Sequence, residues 1–268
     1  MKVLQNNLHI LCEKPLATNL KDAQRMYEQA VKKQIKHMTA FTFRFTSPVI
    51  KARKLIEKGS IGDVFHFNAH YLVDFDINSA LTWRFVKEKA GYGALGDLSP
   101  HIIDIARLLI GEIKQLCGIE QTFVKKRRLI NNNSLHNVNV DDSTVFIAQF
   151  QNKVQGLFQA SMVATGRGST MRIEISGTKS SLVINREMGN ITLYQQKQKN
   201  GKYSILDKCK EDRGLIFTSM AKTFSENILQ DKNTPPSFYD GLKTQEIIEA
   251  VNLSNKQRKW VTLPILNK

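Results

Sequence analysis

Apolar and polar positions along this chain follow two different rhythms. The first covers roughly the opening 45 residues. Leu8 to Cys12 is a short apolar run, LHILC, suited to a buried strand. Thr18 or Asn19 can cap a helix running to about Lys33, with Leu20, Ala23, Tyr27, Ala30 and Val31 on one stripe. His37 to Phe43 then reads as a second strand. Strand, helix and strand in this span make one βαβ unit. Such a unit needs parallel neighbours to cover its edges. One unit alone at the start of the chain leads us to expect that most of a parallel-sheet domain is missing before Met1.

Ser47-Pro48 marks a helix start, with Ser as cap and Pro at the first helical position. Val49, Ile50, Ala52, Leu55 and Ile56 form its stripe, and Gly59 ends it. From Val64 the second rhythm takes over. VFHFNAHYLVDF alternates like a strand, and VFIAQF, VQGLFQASMVA, MRIEIS, SLVIN and ITLYQ follow. Turn signals such as Gly177-Thr178-Lys179 separate them. Closely spaced strands with short turns predict an antiparallel or mixed meander. A helix from His101 to Ile110 interrupts it. Two helices, about Ile216–Leu229 and Phe238–Lys256, come near the end, before a last strand at Trp260–Pro264. Asn131 to Asn139 is polar and reads as a loop.

Three constellations could carry chemistry. Glu13-Lys14-Pro15 follows a predicted parallel strand, at the sheet edge where ligands bind in open α/β folds. Lys14 there could polarise an oxygen or relay a proton, or be a surface lysine at a loop start. Asp97 and His101 lie four apart at a helix start. A helix N-terminus favours neutral imidazole, as a base requires, and a nearby carboxylate could orient the ring. The same pair could be a capping Asp beside a packed His. Gly91 to Gly96 matches GxGxxG literally, but Lys87-Glu88-Lys89 precedes it where a strand is required. Its glycines are read as serving a tight turn. Trp83-Arg84 and Phe43-Arg44-Phe45 could stack on a ring or grip an anion, or simply pack.

Composition narrows the setting. Hydrophobic residues make up 41% and charged residues 24%, enough for a core without disulfide or metal. The three cysteines, Cys12, Cys117 and Cys209, cannot all pair and show no metal-ligand spacing. They point to free thiols in a reducing compartment. With no apolar run of transmembrane length and no signal peptide, a cytoplasmic protein is expected. Net charge is +15, but the basic residues are scattered, which fits a solvated face better than a nucleic-acid site.

Taken in order, HILCEKPLA, FRFTSPVIKARKLIEKGSIGDV, TWRF, GYGALGDLSPHIIDIARLLIG, RIEISGTKSSLVI and SFYDGLKTQEIIEAV span almost the whole chain. This combination resembles the glucose–fructose oxidoreductase/inositol dehydrogenase (Gfo/Idh/MocA) family. The resemblance implies a remnant of a Rossmann parallel sheet (1–45) followed by a substrate and oligomerisation domain (46–268) with an open, mostly antiparallel sheet flanked by helices. It implies NAD(P)-dependent interconversion of a secondary alcohol and ketone on a sugar or cyclic polyol, and a homo-oligomer formed through the C-terminal sheet. It casts Lys14 as catalytic lysine, His101 as proton acceptor and Asp97 as its partner. Glu13, Lys14, Thr42, Trp83, Arg84 and Tyr239 would contact the dinucleotide, and Lys14, Arg44, Asp97 and His101 the substrate. No metal is implied. The family's own GxGxxG loop and NAD/NADP-selecting residue are expected upstream of Met1. NAD or NADP binding by the chain is therefore expected to be weak. The alternative is a non-catalytic relative, a regulator or scaffold using the C-terminal sheet.

Overall fold

The computed structural model describes residues 1–132, 134–197 and 201–266. The chain runs α1 (Lys2–Gln5), β1 (Ile10–Cys12), α2 (Leu20–Lys32), β2 (His37–Thr39), α3 (Ser47–Glu57), β3 (Val64–Val73), α4 (Lys87–Ala90), α5 (Ala94–Asp97) and α6 (Ser99–Leu109). It continues with β4 (Ile113–Gln121), β5 (Lys126–Arg128), β6 (Leu135–Asn137), β7 (Ser143–Phe150), β8 (Gln155–Ser161), β9 (Ser169–Gly177), β10 (Ser180–Glu187), β11 (Asn190–Lys197) and β12 (Tyr203–Lys210). Helices α7 (Arg213–Leu229) and α8 (Phe238–Gln257) and the short β13 (Val261–Thr262) complete it. Single 3-10 turns occupy Thr42–Phe45 and Trp83–Phe85.

The strand, helix and strand expected at the start are present. β1 and β2 pair in parallel, Leu11 opposite Met38. Asn19 caps α2 by accepting the Asp22 N–H at 2.9 Å. The second strand is shorter than expected, because the backbone turns into the 3-10 segment at Thr42. This unit is not closed by residues 1–45 alone. Phe238 and Leu242 of α8 are buried with Leu4, Leu16, Leu20 and Ile35. Gly241 permits the approach: a Cβ there would stand 2.7 Å from Thr39 Oγ1 and 2.9 Å from Leu16 Cβ. The other end of the chain thus roofs the parallel pair.

Among the described residues the large sheet has nine strands, in the order β12-β11-β10-β9-β3-β8-β7-β4-β13. Among the described residues of this sheet, β3 and β8 alone run parallel and every other pair is antiparallel. One face buries Phe67, Phe146, Phe150 and Phe158 beneath α6 and α8. Phe146 and Phe158 stack with centroids 4.4 Å apart. The other face bears Ile119, Ile147, Leu157 and Trp260, each between 45% and 55% exposed. β4, β5, β6 and β12 are additions to the expected strands. β6 falls inside the polar stretch read as a loop, whose Asn133 lies outside the described residues. The three cysteines are free, and no helix of the described residues is long and apolar enough to cross a membrane.

Candidate active site

A cleft of about 240 Å³ opens where the two units meet. Glu13, Lys14 and Thr42 enter from the ends of β1 and β2, and His101 from the first turn of α6. Phe43, Tyr71 and Arg186 form the far wall, with Glu211, Arg213 and Phe217 at the rim. Loop ends of a parallel sheet deliver the polar groups, as expected of an α/β fold.

Lys14 and Asp97 meet across 83 residues of sequence. The Lys14 ammonium donates to Asp97 Oδ1 at 2.8 Å and to the Asp97 backbone carbonyl at 2.6 Å. Their side chains are 14% and 22% exposed, so the pair is only partly screened by water. Two of the three ammonium donors are satisfied, leaving one for a ligand. Arg84 donates to Asp97 Oδ2 at 3.3 Å and lays its guanidinium 4.5 Å from the Trp83 ring centre.

His101 corrects one expectation. Asp97 makes no hydrogen bond to it among the described residues; that carboxylate is taken by Lys14 and Arg84. The cause is a helix break: α5 ends at Asp97, Leu98 caps α6, and α6 begins at Ser99 with Pro100 behind it. The two side chains are therefore not consecutive-turn neighbours on one helix. The imidazole instead lies edge-on to Phe43, centroids 5.0 Å apart, and 5.8 Å from Tyr71. Its Nδ1 is buried without a hydrogen-bond partner among the described residues. Burial first, then the positive charges of Lys14 and Arg186, hold its pKa well below the ordinary imidazole value. At neutral pH it is an uncharged base.

Arg44 is also relocated. Its guanidinium grips Asp104 through Nε at 2.8 Å and Nη2 at 2.6 Å, and Nη2 reaches Asp240 at 2.9 Å. Arg107 joins through the Asp240 carbonyl at 3.2 Å and Glu112 at 2.5 Å. These ion pairs bind the 3-10 turn, α6 and α8 together, and leave Arg44 no free fork for a substrate. Tyr239 packs on Tyr27 of α2 with centroids 5.8 Å apart, outside the cleft wall. Trp83 is half exposed and, with Arg84, also stands outside that wall.

The GxGxxG segment binds a carboxylate from the protein itself. Asp141 accepts the Gly93 and Leu95 N–H groups, each at 2.7 Å. A Cβ at Gly93 would sit 1.6 Å from the Asp141 carbonyl oxygen. The loop is thus wound on Asp141, and its last turn presents Asp97 to Lys14. Burial pushes the Asp141 carboxyl up to about 7, against the pull of its N–H donors.

Arg186 and Glu211 were not singled out from the sequence. One signal was available: Leu182, Ile184 and Arg186 alternate along β10, so Arg186 occupies a core-facing position. It lies directly across from Met171, which lies across from Tyr71.

Parallel strands opening on a polar cleft, backed by a large mixed sheet, define a two-unit α/β architecture. Residues 49–183 match the GFO/IDH/MocA C-terminal domain, and residues 1–41 match the oxidoreductase family's NAD-binding Rossmann fold. Levoglucosan dehydrogenase from Pseudarthrobacter phenanthrenivorans is 31% identical, over 96% of this chain and 74% of its own length. Its structure with NADH and levoglucosan superposes with a TM-score of 0.88, at 97% and 75% coverage. An oxidoreductase domain protein from Kribbella flavida is 33% identical with a TM-score of 0.87, covering 97% of this chain and 76% of that one. Glucose-6-phosphate 3-dehydrogenase from Bacillus subtilis is 27% identical over 93% of this chain and 73% of its own. The chain belongs to the GFO/IDH/MocA family of NAD(P)-dependent oxidoreductases.

Proposed function

We propose that the cleft carries out alcohol–ketone interconversion on a sugar or cyclic polyol, with His101 as proton acceptor and Lys14 as the group that holds the reacting oxygen. The observation that carries this reading is a neutral imidazole sharing one cleft with an ammonium that keeps a donor free. The Lys14 N–H orients the substrate hydroxyl. His101 accepts its proton as the C–O bond becomes C=O, and returns it in the reverse direction. Lys14 stabilises the negative charge that builds on oxygen meanwhile. Asp97 keeps the ammonium in place and balances its charge. Nicotinamide, when bound, supplies the two-electron acceptor or donor.

Glu13, Lys14 and Thr42, at the ends of β1 and β2, suit the nicotinamide end of a dinucleotide. A pyrophosphate needs backbone N–H groups at a glycine-rich helix start. The literal GxGxxG here is already occupied by Asp141. We therefore expect a 268-residue polypeptide of this sequence to hold NAD(H) or NADP(H) weakly; micromolar affinity by titration calorimetry overturns that expectation.

The test of the site is sugar-dependent formation of reduced nicotinamide at millimolar NAD or NADP, in wild type, Lys14→Met and His101→Asn. General base catalysis contributes roughly 100- to 10,000-fold, so each variant should lose at least 100-fold. Turnover that survives both substitutions contradicts the assignment.

The exposed Ile119, Ile147, Leu157 and Trp260 favour a further element of this reading, self-association through the outer face of the large sheet.

A further inference from the structure

We infer that Arg186 and Glu211 form the specificity element of this cleft, reading a neighbouring pair of hydroxyls on an uncharged, single-ring sugar or polyol. The inference rests on the reading of Lys14 and His101 given above, and adds to it the side of the cleft that faces the rest of the substrate.

Arg186 is held rigidly. Its Nε donates to Glu211 Oε2 at 2.7 Å, and its Nη1 donates to the Ser169 carbonyl at 3.1 Å and hydroxyl at 2.9 Å. Phe43 and Tyr71 flank the guanidinium, each ring centre 5.7 Å from its central carbon. Three anchors and two rings leave the side chain little freedom to lose on binding, and preorganised donors bind more tightly for that reason. Nη2 makes no hydrogen bond among the described residues, and neither does Glu211 Oε1. The pair therefore offers the two N–H groups of Nη2 and the acceptor Oε1 on a cleft wall shared with Lys14 and His101.

That combination selects by chemistry. A hydroxyl both donates and accepts, so two adjacent hydroxyls satisfy the arginine donor and the glutamate acceptor together. A phosphate or carboxylate only accepts, and would meet a carboxylate at Glu211. Nor does the cleft hold spare positive charge. Lys14 is paired with Asp97 and Arg186 with Glu211, and the lining's remaining charges, Arg213 and Glu13, are opposite in sign. The volume, about 240 Å³, is below the ~300–1,000 Å³ of sites for drug-sized ligands. It suits one ring.

The test is ligand-observed NMR and calorimetry with levoglucosan, myo-inositol and glucose 6-phosphate, each at millimolar NADH. Wild type, Arg186→Lys, Glu211→Gln and Lys14→Met are compared, with circular dichroism to verify folding. Wild type should bind a neutral probe at least about tenfold more tightly than glucose 6-phosphate, and Arg186→Lys and Glu211→Gln should each weaken the neutral probe about 10- to 100-fold. Glu211→Gln keeps the side-chain shape and decides the matter if Arg186→Lys does not fold. Equal or tighter binding of glucose 6-phosphate, or unchanged neutral binding in a folded variant, overturns the specificity element and leaves the Lys14 and His101 reading standing. Failure of wild type to bind any of the three probes overturns that reading itself.

Discussion

Replacing Arg44 with Met should unfold the protein more readily rather than remove a substrate contact. The guanidinium side chain is 7% exposed and faces Asp104, 2% exposed, and Asp240. Removing it leaves Asp104 as a buried carboxylate with no hydrogen-bonded partner, while Asp240 keeps the Ser237 N–H at 2.7 Å. Breaking a buried ion pair from one side costs ~3–5 kcal/mol. At ~2–4 °C per kcal/mol for a protein of roughly this size, the melting temperature should fall about 6–20 °C. The sign of the pH dependence follows from Asp104. Burial already raises its carboxyl pKa, and Arg44 opposes the rise. Without Arg44 the folded-state value climbs further above the unfolded one. The deficit relative to wild type is therefore full at neutral pH and shrinks as pH falls through the raised folded-state values, where the buried carboxyl takes up a proton in both proteins. Urea and thermal unfolding at pH 5 and pH 7.5 measure both quantities. A loss under about 1 kcal/mol, or a deficit that grows toward acid, refutes this structural role. Arg44→Lys retains charge without the two-pronged geometry and should recover only part of the stability.

Two further outcomes follow. Asp141→Asn removes a carboxyl whose pKa burial lifts to about 7, so wild type loses stability as pH rises from about 4 to about 7. The variant should lack that slope, worth on the order of 2–4 kcal/mol; parallel urea midpoints for the two proteins across this range contradict the assignment. Ile147→Glu, on the open face of the large sheet, should leave monomer stability within about 0.5 kcal/mol and convert the assembled form to monomer in light scattering; a wild-type chain that is already monomeric at the same concentration rules out this interface.

Much of the architecture was legible because its signals are local. The stripe of Leu20, Ala23 and Ala30 and the Asn19 cap specify α2 without help from the rest of the chain. Ser47-Pro48 placed α3 within a residue, although Thr46 rather than Ser47 holds the cap position. β4 was missed because a register shift between Ile113 and Gln115 breaks its alternation, and Gly118 stands where an apolar side chain would have signalled a strand. The site was legible in its members and less so in its pairings. Lys14 and His101 line one cleft. Asp97 lies four residues from His101 yet serves Lys14, because the break at Leu98 turns its carboxylate toward β1. Sequence spacing cannot show that a partner 83 residues away lies closer than one a single turn away. Arg44 looked like a ligand-binding arginine because its two carboxylates, Asp104 and Asp240, are remote in sequence. Arg186 follows the SLVIN run, and its alternation with Ile184 is the one sequence feature that places it on the inner face.

The most direct measurement is an NMR titration of His101, using labelled histidine and His101→Asn for assignment, repeated in Asp97→Asn. A ring that stays neutral well below the ordinary imidazole range, in both proteins, is the predicted result, since burial, Lys14 and Arg186 set its charge state. Protonation at or above the ordinary value, or a large shift on replacing Asp97, would show that His101 is paired with that carboxylate and would contradict the account.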